Sequence, residues 1–216
     1  MGGDQGGAAL THQLRGLLSG PVAPAARGLL GCVVQANGVR VRLTEVEAYD
    51  GVGQDAASHA HRGRTPRNGI MFGPAGLAYV YFTYGMHWCL NVVCGVDGVA
   101  SAVLLRAGEV VDGLALARNR RPGAVDRDLA RGPARLTLAL GVNGAANGAN
   151  MLDPDSAVAL SAPTAPVEPE SIHSGPRVGV AGEAERAWRF WLKGEPSVTA
   201  YRRHVVRRRP EPKFGS

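Results

Sequence analysis

The chain has 216 residues, is 45% hydrophobic, and carries 24 basic against 18 acidic residues for a net charge of +6 and a pI near 9.7. That length and apolar content fit one folded core, while three cysteines without a CxxC pair argue against a disulfide scaffold or a zinc module. No basic-then-apolar leader or membrane-length apolar run is legible, so a cytoplasmic protein without membrane contact is expected; the basic balance, in which only Lys193 and Lys213 are lysine, favours a polyanionic partner because arginine forks suit phosphate.

Taken in chain order, the glycine-rich start is expected to be disordered through residue 9. Residues 21–30 predict a short helix. Residues 32–35 and Val39–Tyr49 predict two strands of a hairpin, since Asn37-Gly38 supplies the positive φ angles of a type I′ turn. Residues 50–76 mix Gly, Pro, Arg and His without periodicity, and long ordered connections are usually functional. Residues 77–84, 88–94 and 99–106 predict three more strands, with Asp97-Gly98 as a second turn. Residues 110–118 and Pro133–Leu140 predict helices, the latter with proline in its first turn. Residues 143–176 read mostly as loop, and 178–180, 188–192 and 198–201 as closing strands. Residues 205–216 form a basic tail. Hairpin-linked strands with helices grouped apart predict an α+β fold: one domain, residues 10–204, around a mostly antiparallel, curved sheet with peripheral helices.

Four stretches carry side chains suited to chemistry. In the strand Val39–Tyr49, strict alternation places Val39, Val41 and Leu43 on one face and continues that face into Glu45, Glu47 and Tyr49. A carboxylate on a face that begins as core must be paired, hydrogen-bonded or kept for chemistry. The segment from His59 to Asn68 gathers two His, three Arg and hydroxyl and amide donors, a mixture that fits phosphate. His59 and His61 alone do not make a metal set, because no carboxylate or Cys at ligand spacing joins them. Three of the five tyrosines fall at Tyr79, Tyr81 and Tyr84; alternation puts Tyr79 and Tyr81 on one face, and Tyr84 sits where the strand turns. Such an array is either a core stripe or a stacking wall with a protruding wedge. Asn91 lies among apolar neighbours and needs partners for its amide, and Arg106 closes an apolar run and needs a carboxylate, for which Glu47 is the natural candidate.

These stretches together resemble the mammalian-type alkyladenine (3-methyladenine) DNA glycosylases. The matching pieces are Thr44-Glu-Val-Glu-Ala-Tyr49, Ala57-Ser-His59, Arg64-Thr-Pro-Arg-Asn68, Met71-Phe-Gly-Pro74, Tyr79-Val-Tyr-Phe-Thr-Tyr-Gly-Met86, Asn91, Val103-Leu-Leu-Arg106, Gly132-Pro-Ala-Arg-Leu136 and Arg177-Val-Gly-Val180, collinear from about residue 25 to 201. The resemblance implies that Glu47 is the catalytic carboxylate that activates water and that Arg106 helps hold it. It implies that Tyr49, His59 and Tyr81 sandwich an extruded base, that Asn91 discriminates against normal guanine, and that Val178 completes the water site. Tyr84 is implied as the wedge, with Arg64, Thr65, Arg67 and Met86 on the DNA backbone.

The expected activity is therefore base excision repair of alkylated or deaminated purines in damaged double-stranded DNA, by a monomer needing no cofactor or metal. The rival readings are a non-catalytic nucleic-acid-binding module on the same fold and a hydrolase of free nucleosides. His59 is also a candidate general acid for neutral lesions. The two lysines lie apart from the expected site, so an amine nucleophile is not expected.

Overall fold

The computed structural model describes residues 4–163 and 165–204, with only the backbone described for 4–8; the expected basic tail 205–216 lies outside these residues. Helices α1 (Asp4–Leu18) and α2 (Val22–Gly28) precede strands β1 (Val33–Ala36) and β2 (Val39–Tyr49). After a long connection come β3 (Ala78–Thr83), β4 (His87–Val93) and β5 (Ala102–Asp112). Helices α3 (Leu114–Arg120) and α4 (Pro133–Leu140) follow, and then β6 (Ala159–Ser161), β7 (Ile172–Gly175) and β8 (Arg189–Leu192). Every strand pairing is antiparallel, in the order β3-β4-β5-β2-β1-β6, with β7 on β8 and β8 on β2. The α+β architecture around a curled antiparallel sheet is the expected one.

β2 is the axis of the sheet. β5 runs along one of its edges from Arg40 to Tyr49, while the other edge is shared by β1 over residues 39–42 and β8 over residues 45–47. Alternation along β2 is broken between Leu43 and Val46, where the register against β5 slips. A bulge of this kind adds a residue and moves the following side chains to the opposite face. Val39, Val41 and Leu43 thus share the core with Val46 and Ala48, not with Glu45 and Glu47. The expectation of one continuous face is corrected: the carboxylates leave the core side because the backbone, and not the residue pattern, changes phase.

The two faces of the sheet differ in kind. One buries Val80, Leu90, Val92, Val103 and Leu105 with the β2 aliphatics under all four helices. The other carries Tyr79, Val93 and Ala102 against Ala60 and Met71 of the long connection. β3 is an outer strand, and its free edge is covered at its start: Ala78 N–H donates to Ala149 O at 2.8 Å and Val80 N–H to Asn147 Oδ1 at 2.9 Å.

Several boundaries depart from expectation. α1 opens at Asp4, inside the stretch that composition reads as disordered, and packs through Leu14 and Leu18. β5 runs on to Asp112, because the eleven-residue β2 offers an edge that far, so residues 110–112 are strand instead of helix. Residues 178–180 and 198–201 are not strands; the first is a turn with Gly179 at φ 71°, and the second is tied down by side-chain bonds. The region 143–176 contains the short strands β6 and β7.

Gly113 joins β5 to α3 at φ 74°, and a Cβ there would stand 2.1 Å from the Gly38 carbonyl oxygen in the β1–β2 turn. Gly113→Ala combines a left-handed side chain with backbone overlap and is expected to destabilise the fold by about 2–4 kcal/mol. Urea denaturation measures it; a change under about 1 kcal/mol would show that the two turns can separate freely.

Candidate active site

Two carboxylates two residues apart on β2 have different surroundings, although both side chains have no solvent exposure. Glu45 Oε1 accepts from Arg106 Nε at 2.8 Å, Arg189 Nε at 2.7 Å and Thr199 Oγ1 at 2.7 Å, and its Oε2 from Thr199 N at 2.7 Å. A carboxylate offers about four acceptor positions, so Glu45 is saturated. Glu47 Oε1 accepts only from Val178 N at 2.7 Å, and its Oε2 from the Tyr49 hydroxyl at 2.9 Å and Arg106 Nη1 at 3.3 Å. One acceptor position of Glu47 remains open among the described residues. Arg106 is therefore bound more closely by Glu45 than by Glu47, its expected partner, and bridges the two.

The charges balance within this buried cluster. Burial alone raises the Glu45 carboxyl, but the Arg106 and Arg189 guanidiniums and the Thr199 donors outweigh it and hold its pKa below the ordinary value. Burial lowers the Arg106 guanidinium, yet Glu47 and Glu45 together lift it above its ordinary range, so it stays charged. Burial, reinforced by Glu47, pushes Tyr49 well above the usual phenol value, so its hydroxyl keeps the proton it donates.

A cavity of about 310 Å³ is lined by residues that include His59, Tyr79, Tyr81, Tyr84 and Asn91 together with Tyr49, Arg106 and Val178, the three groups that bond Glu47; Glu47 itself does not line it. Sheet alternation delivers these residues: Tyr79 and Tyr81 on β3, Asn91 on β4 and Arg106 on β5 share the face to which the bulge turned Glu47. His59 meets Tyr81 edge-on, with ring centroids 4.5 Å apart. The Asn91 amide is oriented by its bond from Nδ2 to Tyr79 O at 2.9 Å. Val178 reaches the site from a turn and not from a strand, and it acts through its backbone N–H. Among the described residues no three His, Cys, Asp or Glu side chains gather as a metal set.

The turn bearing Val178 is held by a pair that sequence reasoning missed. Arg177 and Asp55, both without exposure, meet through two bonds of 2.6 and 2.8 Å. Asp55 also accepts from the N–H groups of Asp50 and Ala57, and Arg177 donates to Ala48 O and lies 4.6 Å over the Tyr49 ring. One ion pair thereby fixes the long connection, the back of Tyr49 and the approach of Val178. The sequence signal was faint: a single Asp in a loop, paired with an Arg 122 residues away.

The basic loop is ordered by Asn68, which is buried instead of facing phosphate as expected. Its side chain donates to His59 O and Gly63 O and accepts from Thr65 N, while Thr65 Oγ1 accepts from Asn68 N. Arg64 and Thr65 are left exposed on the outside of the loop. Arg67 folds toward the cavity, donating to Phe82 O and lying 5.4 Å over Tyr81. At the tip of the β3–β4 hairpin, Tyr84 is 85% exposed and Met86 68% exposed. Tyr84 sits at φ 50° and Gly85 at φ 67°, so a bulky side chain occupies the left-handed position of the turn.

Two outcomes follow from this geometry. Burial raises the Asp55 carboxyl, but Arg177 and the two N–H groups bring it below its ordinary value. Its contribution is thus complete above the unfolded Asp pKa of about 3.9 and is lost as pH falls through the lowered folded value. Asp55→Asn, which strands the Arg177 charge, is expected to cost about 3–5 kcal/mol near neutral pH and to flatten the loss of stability at acid pH. Urea midpoints from pH 7 to 3 check this; an unchanged acid slope would remove Asp55 from the account. Tyr84→Asn, which suits the left-handed turn, is expected to gain about 0.5–1 kcal/mol of stability; a stability loss by thermal melting would mean that the turn is not strained.

The chain matches the family described as methylpurine-DNA glycosylase over residues 17–196. A provisionally named 3-methyladenine DNA glycosylase of Streptomyces avermitilis is 49% identical over 205 residues, covering 92% of this chain and 96% of the relative. Relatives carrying the same name in Nocardia farcinica (54% over 184 residues, 83% of this chain and 86% of the relative) and Mycobacterium tuberculosis (50% over 188 residues, 85% and 90%) agree with it. With a family match over residues 17–196 and relatives 49–54% identical over most of their length, the chain belongs to the methylpurine-DNA glycosylase family.

Proposed function

We propose that the protein is a DNA repair glycosylase that flips an alkylated or deaminated purine out of the duplex and hydrolyses its N-glycosidic bond. The observation that carries this reading is a carboxylate with one open acceptor position, Glu47, whose three bonding partners, Tyr49, Arg106 and Val178, line an aromatic-walled cavity. Family membership supports it. A base inside a duplex is out of reach, so its extrusion costs a few kcal/mol, which stacking in the cavity and insertion of a wedge offset. Tyr49, His59 and Tyr81 are proposed as the stacking walls, Asn91 as the reader of the base edge, and Tyr84 as the wedge. Arg64, Thr65, Arg67 and Met86 are proposed along the DNA backbone. The catalytic domain is proposed to span residues 10–204, with the tail 205–216 as an added phosphate contact, and the enzyme to act as a monomer.

In the reaction, the C1′–N bond breaks with its electron pair passing to the base, and water oxygen bonds to C1′. The water proton goes to Glu47, which accepts it while Arg106 and Val178 N–H hold the carboxylate in place. The carboxylate also offsets the oxocarbenium-like charge on the sugar. Glu45 is a positioning group: the four bonds it accepts lock Arg106, Arg189 and Thr199 around its neighbour. Lys193, just after β8, has its backbone N–H on Ser171 O and does not line the cavity, so among the described residues no lysine amine is placed to form a Schiff base.

Glu47→Gln is expected to keep lesion-duplex binding and lose roughly 10²–10⁴-fold in single-turnover excision, because an amide takes no proton from water. Near-normal excision would remove Glu47 from the reaction. Borohydride added during turnover is expected to trap no covalent protein–DNA adduct; an adduct formed in proportion to base release would show an amine nucleophile and overturn water as the attacking group.

A further inference from the structure

We infer that Thr199 is a positioning residue for base excision: its N–H and hydroxyl clasp both oxygens of Glu45, and through Glu45 they aim Arg106 at Glu47. This deepens the glycosylase reading above and rests on it for Glu47 as the reacting carboxylate. The family match ends at residue 196, before Thr199, and Thr199 does not line the cavity. Whatever it contributes reaches the reaction through other residues.

The clasp has two points. Thr199 N donates to Glu45 Oε2 at 2.7 Å and Thr199 Oγ1 to Glu45 Oε1 at 2.7 Å. A carboxylate turns readily about its last side-chain bond, and a donor on each oxygen from one residue fixes its plane. Oε1 is then presented to Arg106 Nε at 2.8 Å. The other two nitrogens of that guanidinium face different partners, Nη1 to Glu47 Oε2 at 3.3 Å and Nη2 to Thr199 Oγ1 at 3.5 Å. A planar fork held at Nε alone can still swing about that bond; one met on its far side as well keeps Nη1 turned to Glu47. A threonine suits the place because one hydroxyl can donate to Glu45 and still accept from Arg106.

The residue is itself held firmly. Ser197 Oγ and Thr44 Oγ1 lie 2.8 Å apart, Val198 O accepts from Arg131 Nε at 2.9 Å, and Thr199 O accepts from Arg189 Nη2 at 2.6 Å. Three residues further on, Arg202 O accepts from Gly179 N at 3.0 Å, beside the Val178 whose N–H holds Glu47. The segment 197–202 thus touches two of the three groups that orient the reacting carboxylate, one from either side.

The test compares Thr199→Val, which keeps the shape and the N–H but removes the hydroxyl, with Thr199→Ser, which keeps the hydroxyl. On a hypoxanthine duplex, Thr199→Val is expected to bind within about twofold of wild type and to excise roughly tenfold more slowly in single turnover, while Thr199→Ser recovers to within about threefold. Added to Glu47→Gln, Thr199→Val is expected to cost nothing further, because the hydroxyl acts through Glu47. Wild-type excision by the valine variant would overturn the inference, as would a tenfold loss that persists in the serine variant or on top of Glu47→Gln. Should Thr199→Val fail to fold, Thr199→Ala is put through the same comparisons with the same outcomes expected. Side-chain ¹⁵N NMR of arginine gives an arm without catalysis. Arg106, assigned by its loss in Arg106→Lys, is expected to show two separate Nη signals in the wild type and one averaged signal in Thr199→Val; an averaged signal in the wild type would overturn the hold on Arg106. A wild-type protein inactive on both hypoxanthine and 7-methylguanine duplexes would overturn the glycosylase reading instead, and the hold on Arg106 would stand or fall on the NMR arm.

Discussion

Two like charges on one buried strand are tolerable only if something of opposite sign lies between them, and Arg106 meets that requirement. It bonds Glu45 through Nε and Glu47 through Nη1, while Arg189 from the neighbouring strand completes the neutral set. Placing four charges out of water costs several kcal/mol per ion unless geometry and hydrogen bonding are nearly complete. Glu45 meets that condition fully and Glu47 does not. The incompleteness of Glu47 is affordable because its neighbour is saturated: one carboxylate carries the structure, and the other is left with capacity for chemistry.

The bulge in β2 makes this arrangement possible. Had alternation continued, Glu45 and Glu47 would project among Val41, Leu43 and the aliphatic side chains packed under the helices. The slip of register keeps an unbroken aliphatic face through Val46 and Ala48 and turns the carboxylates to the side where β3, β4 and β5 present Tyr81, Asn91 and Arg106. The loops then complete what the sheet begins. Arg177 and Asp55 bring a turn and a long connection, far apart in sequence, to either side of Tyr49, and Asn68 gives the basic loop its shape.

Much of the strand framework was legible in the residues, because Asn37-Gly38 and the period-two apolar runs are local signals. Proline at position 133 likewise marked the start of α4. The length of β5 was not legible, since residues 110–112 become strand only because β2 offers them an edge. The bulge was hidden for a related reason: alternation in the sequence looked continuous, and only pairing with β5 shows the slip. The lining of the cavity was readable in Tyr81, Asn91 and Arg106, and Glu47 as the carboxylate that Arg106 bonds, but their support was not. Thr199 and Arg189 bond Glu45 from positions that carry no motif, and Asp55 looks like any loop aspartate until Arg177 arrives from the other end of the chain. Asn68 was visible as a polar group but not as a buried one, because burial of a loop amide depends on how the loop closes.

β3 carries the aromatic wall and leads to an exposed apolar tip, and it is also an outer strand. Such a strand is a template on which a second polypeptide can extend the sheet, and an apolar tip would strengthen that attraction. The bonds from Ala78 to Ala149 and from Val80 to Asn147 remove the template over the first half of the strand. Nearer the tip, the Phe82 carbonyl is taken by Arg67, so little of the row is left open. The protein can therefore keep a hydrophobic probe on display while denying neighbouring chains a row of backbone partners, which lowers its tendency toward edge-to-edge aggregation.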